Sequence, residues 1–208
     1  MSGSGSVEAF DRRAEDYERG PRARFHFTVT QRTADLALEV TPLPLRVLDV
    51  GCGTGMLLRE MVARIPNAIE LVGADPAERM LAVARTRAEG NERFVECVAE
   101  DLPFASGHFD LVISTTSFDH WGDQSAGLAE VRRVLRPGGT FVLADICAAW
   151  LSESRGQARA RTPHRVVELL ERTGLSVVSR RTIYRIAGLP LVRAFVARPA
   201  VANDPTDG

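Results

Sequence analysis

The run Val47-Leu48-Asp49-Val50-Gly51-Cys52-Gly53-Thr54-Gly55 leaves this chain few ways to fold. A short Val-rich stretch, Arg46–Val50, reads as a buried strand. It enters glycines at alternate positions, and a helical pattern starts at once with Met56. Glycine lets the backbone turn sharply and lets a ligand approach atoms that a Cβ would shield. The helix N-terminus behind the turn offers unpaired N–H groups and a positive dipole end to an anionic group. Strand, tight turn and helix together open a βαβ unit with a ligand at the carboxyl end of the strand.

The alternation continues along the chain. Helical spacing over Met56–Ile65 stops at Pro66-Asn67, and Glu70–Ala74 reads as a second buried strand. Asp75-Pro76 predicts a helix start, a capping carboxylate followed by Pro at the first helical position, and Gly90 the matching stop. Further strands are expected at Phe94–Ala99, Phe109–Ser114 and Thr140–Asp145, with a helix over Asp123–Leu135 and a turn at Pro137-Gly138-Gly139. Thr162-Pro163 caps a last helix ending at Gly174, and Leu175–Ile186 and Leu191–Arg198 form an antiparallel hairpin across Ala187-Gly188-Leu189-Pro190. Upstream, Phe10, Ala14 and Tyr17 share a helical face that Gly20-Pro21 ends. Phe25, Val29, Leu36 and Val40 mark a second helix, stopped by Thr41-Pro42-Leu43-Pro44. This order predicts an α/β architecture, a mostly parallel sheet with helices on both faces and an antiparallel edge.

At 208 residues the chain suits one domain, with 7–42 as an N-terminal helical lid, 43–200 as the core and 201–208 as a disordered tail. Met1–Ser6 reads as disordered and carries no signal-peptide pattern. No apolar run approaches the roughly 18 residues needed to span a bilayer, so a cytoplasmic protein without a membrane partner is expected. A net charge of −1 gives no electrostatic footprint for nucleic acid. All 26 basic residues are Arg, which reads as the codon usage of a GC-rich bacterial genome rather than as function. Cys52, Cys97 and Cys147 lie in apolar contexts and read as reduced core thiols, not as a disulfide frame or a metal site.

Asp75 follows the glycine loop by about 20 residues, where this topology places a carboxylate against ribose hydroxyls. The loop departs from the dinucleotide pattern G-x-G-x-x-G/A, since Met56 stands where the last small residue belongs. Asp49, two residues before the first glycine, would repel a pyrophosphate and attract an amino group. An amine, a carboxylate and a ribose on one ligand describe S-adenosylmethionine better than a nicotinamide dinucleotide.

The stretch resembles the class I S-adenosylmethionine-dependent methyltransferases, in particular the small-molecule group that includes ubiquinone- and menaquinone-type enzymes. Four ordered motifs carry the resemblance. They are the glycine loop, Gly73-Ala74-Asp75-Pro76 with Glu78-Arg79-Met80-Leu81, Glu100-Asp101-Leu102-Pro103-Phe104 with Phe109-Asp110-Leu111-Val112, and Arg132-Arg133-Val134-Leu135-Arg136-Pro137-Gly138-Gly139. It implies a doubly wound, mostly parallel, seven-stranded Rossmann-like sheet. It also implies a donor site of Asp49, Gly51, Cys52, Gly53, Gly55, Asp75, Pro76, Met80, Asp101, Leu102 and Ser114. In that site Asp49 and the loop backbone hold the methionine moiety, and Asp75 takes the ribose. Asp101 accepts from the adenine amino group, Leu102 packs on the ring, and Ser114 stands near the amine and the acceptor mouth.

Methyl transfer from a sulfonium is an in-line displacement that asks mainly for positioning and exclusion of water. An acidic acceptor also needs a base. His120, in Asp119-His120-Trp121, is the candidate base; a turn-capping role competes. Tyr17 contacts donor or acceptor if the N-terminal helix closes over the site, or is a half-buried packing residue, and Phe25-His26-Phe27 lines an apolar pocket or plain core. Arg155, Arg159, Arg161, His164 and Arg165 read as solvated surface sooner than as an anion site. The expected activity is methylation of an O, N or C nucleophile on a small molecule by a monomer or homodimer. The alternative is a non-catalytic S-adenosylmethionine- or S-adenosylhomocysteine-binding protein or partner subunit. A nicotinamide-dependent oxidoreductase is disfavoured by Asp49 and Met56.

Overall fold

A computed structural model describes residues 3–147 and 162–200. Two helices come first, α1 (Gly3–Asp11) and α2 (Gly20–Val40), with a 3-10 turn at Ala14–Asp16 between them. Then follow β1 (Arg46–Val50), α3 (Met56–Arg64), β2 (Glu70–Asp75), α4 (Glu78–Arg87) and β3 (Glu92–Glu96). The second half is β4 (Phe109–Thr115), a 3-10 turn at Phe118–His120, α5 (Gln124–Val134), β5 (Leu135–Ile146), α6 (Pro163–Arg172), β6 (Leu175–Ile186) and β7 (Leu189–Pro199).

The strands form one seven-stranded sheet in the order β3-β2-β1-β4-β5-β7-β6. β1 to β5 pair in parallel, and β7 pairs antiparallel with both β5 and β6, so β7 alone runs backwards. Successive residues of each central strand face opposite layers, as a period of two dictates. Val47, Leu71, Leu111, Ile113 and Val142 pack on one side with Val29, Leu36, Leu57 and Met61 of α2 and α3. Leu48, Val72, Val112 and Leu143 pack on the other with Leu128, Val131, Val166 and Leu170 of α5 and α6. Phe109, Phe118, Phe141 and Phe195 are among the largest fully buried side chains of this doubly wound core, and each such burial is worth about 1.5–3 kcal/mol.

Several boundaries differ from the sequence expectation. A helix starts at Gly3, inside the stretch read as disordered. It stops at Asp11, whose carboxylate accepts from Arg79 N at 3.0 Å and so caps α4 from outside. Gly20-Pro21 opens α2 instead of closing the helix before it. Asp75 ends β2 and Ala77 is the N-cap of α4, while Gly90 lies two residues beyond its C-cap, Ala88. The Arg136-Pro137-Gly138-Gly139 stretch bulges within β5, since Phe109 pairs with Leu135 and Leu111 with Thr140. The hairpin turn is two residues, Ala187 and Gly188, both at positive φ, and Leu189 and Pro190 belong to β7. Thr162 and Gly174 do cap and end their helix as expected, while Asp123, expected as the first residue of α5, is its N-cap and Leu135 opens β5. No helix among the described residues is long and apolar enough to cross a membrane.

Candidate functional site

In a doubly wound sheet the ligand crevice lies outside the carboxyl ends of the strands where their order reverses, here between β1 and β4. The glycine loop leaves β1 at this point. Gly51 N and Cys52 N both donate to Ala74 O, at 2.7 and 3.1 Å, which holds the loop across the end of β2. Asp75 then anchors its middle: Gly53 N donates to one carboxylate oxygen at 2.8 Å and Ala77 N to the other at 2.9 Å. Each oxygen keeps a further lone pair for a hydroxyl donor. Burial pushes the Asp75 carboxyl above the usual carboxylate range, against the pull of these two bonds.

Asp49 lies one turn of the pleat behind the loop, 2% exposed, and its Oδ1 has no hydrogen-bond partner. Burial, with the Asp75 charge adding, pushes its carboxyl up to about 8. A buried carboxylate without a partner is costly, so this atom marks where a ligand donor is called for. Asp49 borders a recess of about 40 Å³ together with His26, Thr30, Cys52 and Thr54. The recess shares Tyr17, Gly51, Gly53, Thr115 and Thr116 with a cavity of about 580 Å³, a size that accommodates a nucleoside-sized ligand. The cavity wall carries Asp75, Pro76 and Met80 on one side and Cys97, Val98, Ala99 and Glu100 on another. Ser117, His120 and Trp121 form a third side, and Val7, Phe10 and Tyr17 of the N-terminal segment close it.

Asp49, Gly51, Cys52, Gly53, Asp75, Pro76 and Met80 are thus brought together around the two spaces. Four other expected residues border neither. Asp101 is exposed and Leu102 is turned into the core with Phe109 and Trp121; cavity-wall residues at this end are instead Cys97 to Glu100. Ser114 is fully buried, its hydroxyl 2.8 Å from that of Ser117, which donates to Val50 O at 3.0 Å. Thr115 and Thr116 take its place in the wall, Thr116 at φ 52, a backbone conformation costing about 1–3 kcal/mol and concentrated at functional sites. Gly55 is a packing glycine, since a Cβ there would come within 3.0 Å of the Phe94 ring.

Both candidate catalytic residues reach the cavity. His120 meets the Phe10 ring edge-on, centroids 4.9 Å apart. Tyr17 lies 5.0 Å from the His26 ring, and burial pushes its hydroxyl up to about 12, so it stays a donor. Burial, then Arg13 and Arg22, holds His26 below the usual imidazole range, leaving it neutral near pH 7. His26 lines the recess, one of the two roles open to Phe25-His26-Phe27 in the sequence, while Thr30 carried no signal beyond its place in a helix. Val98 and Ala99 were hidden in the apolar run read as strand. His164 and Arg165 sit in the first turn of α6, Arg165 paired with Glu168; Arg155, Arg159, Arg161 and the 201–208 tail lie outside the described residues. Among the described residues no group of side chains is set to hold a metal, and the three cysteines are free.

Trp121 owes its place to Gly127 of α5, where a Cβ would stand 2.4 Å from the indole Cε3. Gly127→Ala is therefore expected to cost about 1–3 kcal/mol by overpacking and to shift Trp emission, read by thermal melting and fluorescence. An unchanged spectrum and melting point would show that the wall yields freely.

The family described as methyltransferase domain matches residues 48–143. A demethylmenaquinone methyltransferase of Thermus thermophilus is 45% identical over 116 residues, 54% of this chain and 51% of the relative. A ubiquinone biosynthesis O-methyltransferase of Cereibacter sphaeroides is 32% identical over 182 residues, 76% of this chain and 72% of the relative. The chain thus spans about half the length of the first relative and nearly three quarters of the second. Among solved structures, Burkholderia thailandensis 1,6-didemethyltoxoflavin-N1-methyltransferase, with bound 1,6-didemethyltoxoflavin and S-adenosylhomocysteine, superposes with a TM-score of 0.72 at 19% identity, covering 94% of this chain and 87% of that one. The cyclase SpnF superposes at 0.66 with 22% identity, covering 83% and 81%; likeness at this level speaks for the fold and not for the chemistry. With the motifs in order, the site at the strand ends and the curated relatives aligned, the chain belongs to the class I S-adenosylmethionine-dependent methyltransferases.

Proposed function

We propose that this chain transfers the methyl group of S-adenosylmethionine to an O, N or C nucleophile of a small molecule. The observation that carries the reading is the pair of carboxylates around the glycine loop. Asp49 has a buried oxygen without a partner, and Asp75 is held open by two backbone donors. Asp49 and the backbone from Gly51 to Gly53 would hold the amino-acid end of the donor and Asp75 its ribose, with Pro76 and Met80 beside the nucleoside. Its adenine end would meet Val98, Ala99 and Glu100, in place of Asp101 and Leu102.

When bound, S-adenosylmethionine supplies an electrophilic methyl group on a sulfonium. The protein's part is to hold the acceptor in line and keep water out. The segment bearing Val7, Phe10 and Tyr17 serves this by walling the cavity with apolar surface. Tyr17, protonated at all working pH values, orients the acceptor by donating a hydrogen bond. His120, which packs edge-on against Phe10, takes the proton of an acidic acceptor hydroxyl or amine. The mostly apolar wall suits a flat apolar acceptor, and the names of the two curated relatives point to the quinone class.

His120→Ala is expected to lower kcat by roughly 10²-fold, the usual worth of a positioned base, while S-adenosylhomocysteine affinity stays within about twofold. The check is steady-state kinetics on an accepted quinol or phenol beside calorimetry of the product. An unchanged kcat would remove His120 from the mechanism.

A further inference from the structure

The N-terminal segment crosses the cavity between two anchors. At one, the Asp11 carboxylate caps α4 through Arg79 N, and Ala14 packs against Ala77 and Met80. At the other, Glu18 collects donors from three separate parts of the core. Its Oε1 accepts from Thr54 Oγ1 at 2.5 Å and from Arg59 Nη2 at 2.8 Å, and its Oε2 pairs with Arg87 Nη1 at 2.9 Å. Arg59 also donates to Thr54 O at 2.6 Å, so the same guanidinium grips the glycine loop and the strap. These are not ordinary surface pairs. The side chains of Arg59 and Glu18 are 13% and 21% exposed, against 75% each for neighbouring Arg19 and Asp16. Exposed pairs of the latter kind contribute little, whereas breaking a shielded, hydrogen-bonded pair leaves charge without compensation. The Thr54 and Arg59 bonds, with Arg87 close by, hold the Glu18 carboxyl below its usual range against the effect of burial.

Tyr17 sits directly beside this anchor and borders both the recess and the cavity. We infer that Glu18 is a positioning residue, a latch that ties the strap to Thr54 of the glycine loop and so fixes Tyr17 over the bound donor. The inference rests on the reading that the cavity takes S-adenosylmethionine. Since Thr54 belongs to the loop that meets the ligand, closure of the strap and occupancy of the loop are coupled: ligand leaves when the latch lets go. Glu18→Gln keeps the shape but removes the charge that Arg59 and Arg87 pair with. Thr54→Val removes only the hydroxyl donor.

The test is stopped-flow dissociation of S-adenosylhomocysteine, with hydrogen exchange on the ligand-free protein as a second readout. Glu18→Gln is expected to speed dissociation at least tenfold and Thr54→Val a few-fold. In a Tyr17→Ala background Glu18→Gln should add less than twofold, because the latch acts through Tyr17. An unchanged dissociation rate, or the full tenfold again on Tyr17→Ala, overturns the proposal. In the ligand-free protein, Glu18→Gln and Thr54→Val should speed exchange over residues 8–19 and leave β1 and β4 unchanged. Strap exchange equal to wild type, or acceleration throughout the sheet in both variants, overturns the latch whether or not the ligand binds. Failure of wild type to bind S-adenosylhomocysteine would instead count against the donor reading, and the exchange experiment would still decide the latch.

Discussion

Asp49→Asn is expected to weaken S-adenosylmethionine binding by at least tenfold, about 1.4 kcal/mol, and at the same time to stabilise the ligand-free protein at alkaline pH. Both effects come from one buried carboxyl whose Oδ1 has no partner and whose titration is pushed from 3.8 up to about 8 by burial and then by Asp75. The sign follows from linkage. Well below pH 3.8 the carboxyl is protonated folded and unfolded alike. As pH rises towards 8 the unfolded chain loses the proton first, so wild-type stability falls across that window and stays low above it. The Asn variant lacks this slope. Melting points should therefore lie closest well below pH 3.8, and the variant should melt increasingly higher towards pH 9; parallel curves for both proteins would refute the assignment. Binding of an ammonium group reverses the balance by favouring the carboxylate. Affinity of wild type should rise by up to about tenfold per pH unit towards pH 8, with proton release visible as calorimetric enthalpies that vary with the buffer.

The glycine loop supplies the second large effect, and two alanine substitutions separate its two duties. Gly51 has φ 77, and a Cβ there would stand 2.3 Å from Ser117 Oγ. Ser117 closes the β4 loop onto Val50 O, so Gly51→Ala should cost about 1–2 kcal/mol in left-handed backbone strain and more in displaced contacts. Loss of both thermal stability and ligand affinity is expected. Gly53 has φ 53, but a Cβ there meets nothing within 4 Å, because that residue faces the open cavity. Gly53→Ala should melt within a few degrees of wild type yet bind S-adenosylhomocysteine far more weakly, its methyl group standing in the ligand's space. Calorimetry and melting curves on the pair decide the matter. A Gly53→Ala protein with wild-type affinity would mean that the donor does not lie on this loop.

The parts of the fold that were legible in the sequence are those decided locally. A Val-rich strand running into alternating glycines can do little else, and Asp75 stands close enough in sequence to its loop for the topology to place it. The misplaced boundaries share a different cause. Apolar residues Cys97 to Ala99 look like more of β3, but β3 ends at Glu96 and they wall the cavity instead. An apolar side chain facing a ligand is indistinguishable in sequence from one facing a core. Asp101 and Leu102 follow by a few residues, and so small a displacement along an irregular loop turns one to solvent and the other into the core. Helix α1 stops at Asp11 because the carboxylate is recruited by α4, 68 residues away. The Glu18 contacts span 36 and 41 residues, and no spacing rule reaches that far. Side chains that join the strap to the core are set by packing of whole elements, so only the folded chain reveals them.

Calorimetric titration of wild type and Asp75→Ala with S-adenosylmethionine and S-adenosylhomocysteine tests the donor site most directly. Micromolar-range binding to wild type, about −8 kcal/mol, is expected, with loss of both ligands in Asp75→Ala. Equal binding by the variant, or no binding by a folded wild type, would contradict the placement of the methyl donor between the glycine loop and Asp75.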